Sequence, residues 1–168
     1  NRDLISRFVG EKALEIEWHV GDITDASAVL NVSRGCDAII HLAGVMTPYC
    51  QKDPLSGAMI NVIGTINVFE AAKYCGIHKV IYTSSGGVFG LEDDEVPFPM
   101  THYGAFKLAN EGSARAYWAE DRIASIGFRP FVIYGPGREV GLSAGPTLAC
   151  KAAAKGEPYT IPLTGVIG

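Results

Sequence analysis

KVIYTSSGG, residues 79–87, decides the fold. A short apolar run that stops in two serines and two glycines reads as a strand buried in a parallel sheet, followed by a tight turn. The same pattern recurs on both sides. Upstream, DAIIHL (37–42) ends at Ala43-Gly44; downstream, the segment Ala124 to Tyr134 ends at Gly135-Pro136-Gly137. Further upstream, Leu14, Ile16, Trp18 and Val20 alternate with Glu15, Glu17 and His19. Period two over that stretch predicts a strand at 14–20 with one wet face, near a sheet edge.

Helical signals fill the gaps. Thr24 or Asp25 can cap a short helix running to about Ser33, and Asp53-Pro54 opens a helix that would run to Cys75 and stop at Gly76. A long helix is predicted from about His102 to Glu120, and another around Thr147 to Lys155. Strand and helix alternate throughout, which predicts an α/β, doubly wound parallel sheet with helices on both faces. Chemistry in such sheets gathers at the carboxyl ends of the strands. The glycine turns at 21, 43–44, 84–87 and 135–137 all fall at predicted strand ends.

Composition narrows the class. Of 168 residues, 48% are apolar and 19% charged, which excludes a disordered chain. A net charge of −4 without a Lys/Arg cluster speaks against nucleic-acid and anionic-membrane partners, and no apolar run reads as a bilayer span. Asn1-Arg2-Asp3 does not resemble a secretion signal. Cysteines at 36, 50, 75 and 150 and histidines at 19, 41, 78 and 102 fit no zinc spacing. The expectation is a cytoplasmic domain with four free thiols and no metal.

Tyr103 and Lys107 lie one turn apart on the long predicted helix and share a face. An ammonium beside a phenol favours the phenolate, making tyrosine a usable acid/base near neutral pH. Ser84 and Ser85, at the end of the preceding strand, place a hydroxyl where it could meet a substrate oxygen.

These residues carry a family resemblance. GDITD (21–25), HLAG (41–44), NVIGT (61–65), YTSSGGVFG (82–90), YGAFK (103–107) and RPFVIYGPG (129–137) occur in the order and spacing of the extended short-chain dehydrogenase/reductases, also called NAD-dependent epimerase/dehydratases. The chain resembles that family from about residue 14 onward. The resemblance implies a Rossmann-like sheet with catalytic Ser85, Tyr103 and Lys107, Lys107 also meeting the nicotinamide ribose. It implies Asp22 and Ile23 beside adenine, and Leu42, Ala43 and Gly44 along the phosphates and ribose. Asn61 would brace the site, with Pro130 and Val132 beside the nicotinamide. The cofactor implied is NAD, with NADP not excluded, and the partners are a small-molecule substrate and a second copy docked through helices 54–75 and 103–120.

Two departures shape the expectation. The family's opening strand, glycine-rich fingerprint and second strand have no counterpart here, so residues 1–168 are expected to form one Rossmann-like NAD(P)-binding domain truncated at both ends, the segment YTIPLTGVIG entering a further strand. GPGREVG (135–141) is no substitute, because proline sits where an amide should donate. Without the two strands, 14–20 loses its ladder neighbour and 37–42 becomes an open edge. The second departure is Val132, where members acting on nucleotide sugars commonly carry asparagine; the loop before Tyr103 is also acidic (Glu92, Asp93, Asp94, Glu95). Both point to an oxidoreductase acting on a small sugar acid, lactone or similar hydroxy compound. An epimerase or dehydratase of nucleotide sugars is the alternative, and a non-catalytic Rossmann-like binding protein a lesser one.

Overall fold

The computed structural model describes residues 2–90, 95–141 and 143–161. In chain order the elements are α1 (Arg2–Val9), a 3₁₀ turn (Gly10–Glu15), α2 (Ala26–Ser33), β1 (Ile39–His41), α3 (Thr47–Lys52), α4 (Pro54–Ala58), a π turn (Met59–Ile63), α5 (Gly64–Cys75), β2 (Lys79–Thr83), a 3₁₀ turn (Gly86–Val88), α6 (His102–Asp121), β3 (Ala124–Phe128) and α7 (Gly145–Lys155). The described residues divide into two compact units, 2–20 with 132–161, and 21–131.

The first unit contains α1, the first 3₁₀ turn and α7. Proline in its first turn suits the start of α7, and Gly156 ends it in the left-handed conformation. Lys151 pairs with Glu139 at 2.6 Å, and the Gly135 amide donates to Thr147 Oγ1 at 3.0 Å.

The second unit carries the sheet. Its three strands run parallel in the order β1-β2-β3, with Ile39 opposite Val80, His41 opposite Tyr82, and Tyr82 opposite Gly127. Alternation along the strands turns Ile39, His41, Val80 and Tyr82 to one face, where α5 meets β1 and β2, and α6 meets β3. There Phe69 is fully buried, stacked on Tyr117 with ring centroids 4.9 Å apart and edge-on to Tyr82 at 6.0 Å. Val29, Val68, Ala72, Ile77 and Ile123 complete this core. On the opposite face Ile40, Ile126 and Phe128 are exposed among the described residues.

Local signals explain the helices. Asp25 caps α2 by accepting from the Ser27 and Ala28 amides, and Asp53 caps α4 through the Ser56 amide. Gly76, at φ +68°, ends α5 where the sequence places a stop.

Four expectations are corrected. The strand at 14–20 is absent: 10–15 form the 3₁₀ turn, 16–20 join no strand ladder among the described residues, and Leu14 and Val20 are exposed. An alternating segment is held as a strand only by a ladder and a surface to bury its apolar face. The strand read as Ala124 to Tyr134 ends at Phe128, just before Pro130, which has no amide to donate. The helix at 54–75 is interrupted by the π turn at Met59–Ile63. That same rod, Pro54–Cys75, is long and apolar enough to cross a membrane by length and composition, contrary to the reading that nothing is; half of it is buried, as in a core helix. Glu92, Asp93 and Asp94 lie outside the described residues, as do residues 162–168 of the strand expected at the C-terminal end, and 159–161 form no ladder among the described residues.

Phe69→Ala empties the centre of the aromatic cluster. The expected cost is about 3–5 kcal/mol, read as a lowered urea midpoint at unchanged m-value. A loss below about 1 kcal/mol would contradict the packing.

Candidate active site

The site is built where β2 ends and α6 begins. The pairing of β2 with the next segment continues past the strand, the Ser84 amide donating to Phe128 O at 2.7 Å and the Gly86 amide to Pro130 O at 2.9 Å. Ser85 then caps the 3₁₀ turn Gly86–Val88, its Oγ accepting from the Gly87 amide at 3.0 Å. Thr101 caps α6, its Oγ1 accepting from the Gly104 amide at 3.0 Å. A Cβ on Gly104 would overlap the Gly87 carbonyl, so only glycine lets the first turn of α6 come this close. That approach brings the Tyr103 phenol toward Ser85, whose hydroxyl favours its ionised form.

One turn later Lys107 sends its ammonium to Thr83 O, 2.8 Å away, with Nζ 5.7 Å from the centre of the Tyr103 ring. Ser85, Tyr103 and Lys107 are 6%, 6% and 4% exposed. Three residues predicted from two separate segments therefore lie together in one buried cluster.

The π turn supports the neighbouring loop. Asn61 is buried; its Oδ1 accepts from the Val45 amide and its Nδ2 donates to Val45 O, both at 2.9 Å. Its own carbonyl accepts from Asn110 Nδ2 at 3.0 Å, tying the π turn to α6. Gly44 lies against Asn61 and Lys107, since a Cβ there would sit 2.8 Å from Asn61 Oδ1 and 3.6 Å from Lys107 Nζ. Leu42, Ala43 and Gly44 are exposed beside this pair.

Burial dominates the electrostatics. It raises the Tyr103 phenol above its ordinary range, against the opposing pull of the Ser85 hydrogen bond. It lowers the Lys107 ammonium. The spacing alone leads one to expect Lys107 to depress the phenol; here burial raises it, and the ammonium turns instead to Thr83 O. His41, on β1, is bonded to Thr65 Oγ1 at 3.0 Å, and burial, with Lys107 adding to it, pushes its pKa down to about 4.

The other predicted positions are more scattered. Asp22 Oδ1 accepts from the amide and hydroxyl of Thr24, both at 2.8 Å, which holds the carboxyl below its ordinary range. Ile23 packs on Gly64 and accepts at its carbonyl from Asn67 Nδ2. Pro130 takes the Gly86 hydrogen bond; Val132 belongs to the first unit and is exposed. Sequence reasoning passed over Glu111 and Arg129. Glu111 accepts from Ser84 Oγ at 2.5 Å and from Arg129 Nε and Nη2 at 2.8 and 2.6 Å. The signal was available, because Glu111 continues the four-residue spacing of Tyr103 and Lys107.

With this geometry in place, the chain's relatives can be set beside it. The model of the NAD dependent epimerase/dehydratase family matches residues 4–165, and the chain belongs to that family. It is 36% identical over 129 residues to a 2-alkyl-3-oxoalkanoate reductase of Stenotrophomonas maltophilia, covering 70% of this chain and 38% of that protein. It is 31% identical over 144 residues to a UDP-glucose 4-epimerase of Mycolicibacterium smegmatis, covering 80% of this chain and 46% of that one. A partial consensus L-threonine 3-dehydrogenase superposes with a TM-score of 0.73 at 26% identity, over 84% of this chain and 50% of that one. The chain thus spans half or less of the length of these relatives. The shared fold is the Rossmann-like parallel α/β sheet.

Two outcomes test the site's geometry. Gly104→Ala should push α6 away from the β2 turn and weaken the protein by about 1–3 kcal/mol; unchanged stability would show that the close approach is not needed. His41 has a folded pKa below its ordinary value of 6.5, so its neutral form stabilises the fold above pH 6.5, and that stability drains away as pH falls toward about 4. Ring ¹⁵N shifts should report a neutral His41 at pH 5.5; protonation near pH 6.5 would contradict its burial.

Proposed function

We propose that the protein is an NAD(P)-dependent oxidoreductase that interconverts a secondary alcohol and a ketone, on a small sugar acid, lactone or related hydroxy compound. The observation that carries this reading is the burial of Ser85, Tyr103 and Lys107 together at the carboxyl end of β2. No structural need of a turn or a surface helix accounts for a phenol, a hydroxyl and an ammonium sharing one dry cluster.

The chain's residues fit the nicotinamide-ribose end of the cofactor. Leu42, Ala43 and Gly44 offer an exposed turn beside Lys107, and the ammonium donates a single hydrogen bond among the described residues, leaving two N–H groups for ribose hydroxyls. Pro130 would flank the ring. When bound, the nicotinamide accepts or gives the hydride.

The protein's own part is proton transfer. In reduction the Tyr103 phenol gives its proton to the carbonyl oxygen and becomes the phenolate; in oxidation that phenolate takes the proton of the substrate hydroxyl and returns to the phenol. Ser85, buried with Tyr103 at the end of β2, orients the same substrate oxygen through its Oγ. Lys107 supplies the positive charge that offsets the phenolate while the proton is away. The burial that raises the phenol's pKa also makes that charge worth more than it would be in water.

Tyr103→Phe in the full-length protein, assayed with NAD⁺ and NADP⁺ against uronates, aldonolactones and short secondary alcohols, should lose at least about 100-fold in turnover with cofactor affinity kept. Undiminished turnover would overturn the assignment. Accumulation of reduced cofactor is expected with substrate present; product formed with none accumulating would favour the epimerase alternative.

A further inference from the structure

Glu111 stands next to the site yet has no part in the proton transfer. It is 9% exposed and ionised beside Arg129, whose guanidinium grips both carboxylate oxygens. Glu111 Oε1 also accepts from Ser84 Oγ, and Ser84 is 1% exposed. Arg129 reaches further: its guanidinium lies 4.8 Å over the ring of Phe89, which stacks in turn on Phe131.

These contacts bracket one residue. Ser84 precedes Ser85, and Phe89 ends the 3₁₀ turn that Ser85 opens. Both sides of the Ser85 turn are therefore tied to one ion pair, and that pair is rooted in α6 four residues beyond Lys107 and eight beyond Tyr103. The same tie holds Thr83, whose carbonyl receives the Lys107 ammonium.

We propose that Glu111, with Arg129, is a positioning residue: it locks the turn bearing Ser85 to the helix bearing Tyr103 and Lys107, so that the serine hydroxyl stays on the phenol and the Thr83 carbonyl stays on the ammonium. This rests on the proposed function of that same cluster. A largely buried ion pair is a poor way to gain stability, since apolar side chains of similar size often do as well or better. What an apolar pair does not supply is the directed hydrogen bond to Ser84. Removing the pair should cost alignment more than it costs the fold.

The experiment compares Glu111→Gln and the double variant Glu111→Leu/Arg129→Met in the full-length protein. The first readout needs no substrate: ¹³Cζ-tyrosine NMR follows the Tyr103 titration, with Tyr103→Phe supplying the assignment. The Ser85 hydrogen bond lowers the phenol's pKa, so losing it should move the titration to higher pH in both variants. The second readout is turnover on whichever uronate, lactone or alcohol the wild type uses fastest. It should fall about 10-fold or more in kcat with KM for the cofactor within about twofold, while the double variant melts no lower than wild type. A double variant with wild-type kcat and an unmoved Tyr103 titration would overturn the proposal, as would losses that merely track the unfolded fraction. If Tyr103→Phe itself keeps full turnover, the reading of the cluster falls and this proposal with it. If Tyr103→Phe is inactive and both Glu111 variants are normal, only the positioning role falls.

Discussion

Everything at the candidate site depends on how closely the first turn of α6 approaches the turn that follows β2. The distance is set by a missing side chain: with any Cβ at position 104 the helix would run into the Gly87 carbonyl. That contact brings Tyr103 to Ser85 and, one turn on, Lys107 to the Thr83 carbonyl. The parallel pairing of β2 with β3 holds the other side, through the hydrogen bonds of Ser84 and Gly86 to Phe128 and Pro130. The sheet, the helix and the serine turn are thus one mechanical unit, and the aromatic packing of Phe69 against Tyr82 and Tyr117 fixes the helix layer above it.

Burial gives this unit its chemical character. Inside it the phenol is held protonated and the ammonium is made more acidic, each because water has been removed from around a charge-bearing group. His41 follows the same rule from the neighbouring strand. A dry site magnifies every fixed charge and hydrogen bond, so small errors of placement are costly. This is the physical setting in which the Glu111–Arg129 pair matters: it spans the two pieces of backbone whose relative position decides where Ser85 stands.

Much of this was legible in the residues. The run KVIYTSSGG gave a strand and its exit turn, Asp53-Pro54 and Gly76 marked a helix's ends, and the spacing of Tyr103 and Lys107 put them on one helix face. Each of these is a local signal, set by backbone preferences or helical periodicity. Three features were not legible. Alternation at 14–20 looks like a strand, but a strand needs a partner elsewhere in the sheet, and none pairs with it among the described residues. The π turn around Asn61 depends on what its side chain meets at Val45, sixteen residues away. The direction of the Tyr103 shift depends on burial, which spacing does not encode. Glu111 lies between these cases: its place on the helix face was readable, its partners on two other segments were not.

The central claim is that the cluster of Ser85, Tyr103 and Lys107 receives the nicotinamide end of a dinucleotide. A crystal structure of the full-length protein with NAD⁺ tests it most directly. The expected result is the nicotinamide ribose against Lys107 and the turn of Leu42, Ala43 and Gly44, with Tyr103 facing the ring. A cofactor bound with its nicotinamide end away from the first turn of α6 would contradict the account.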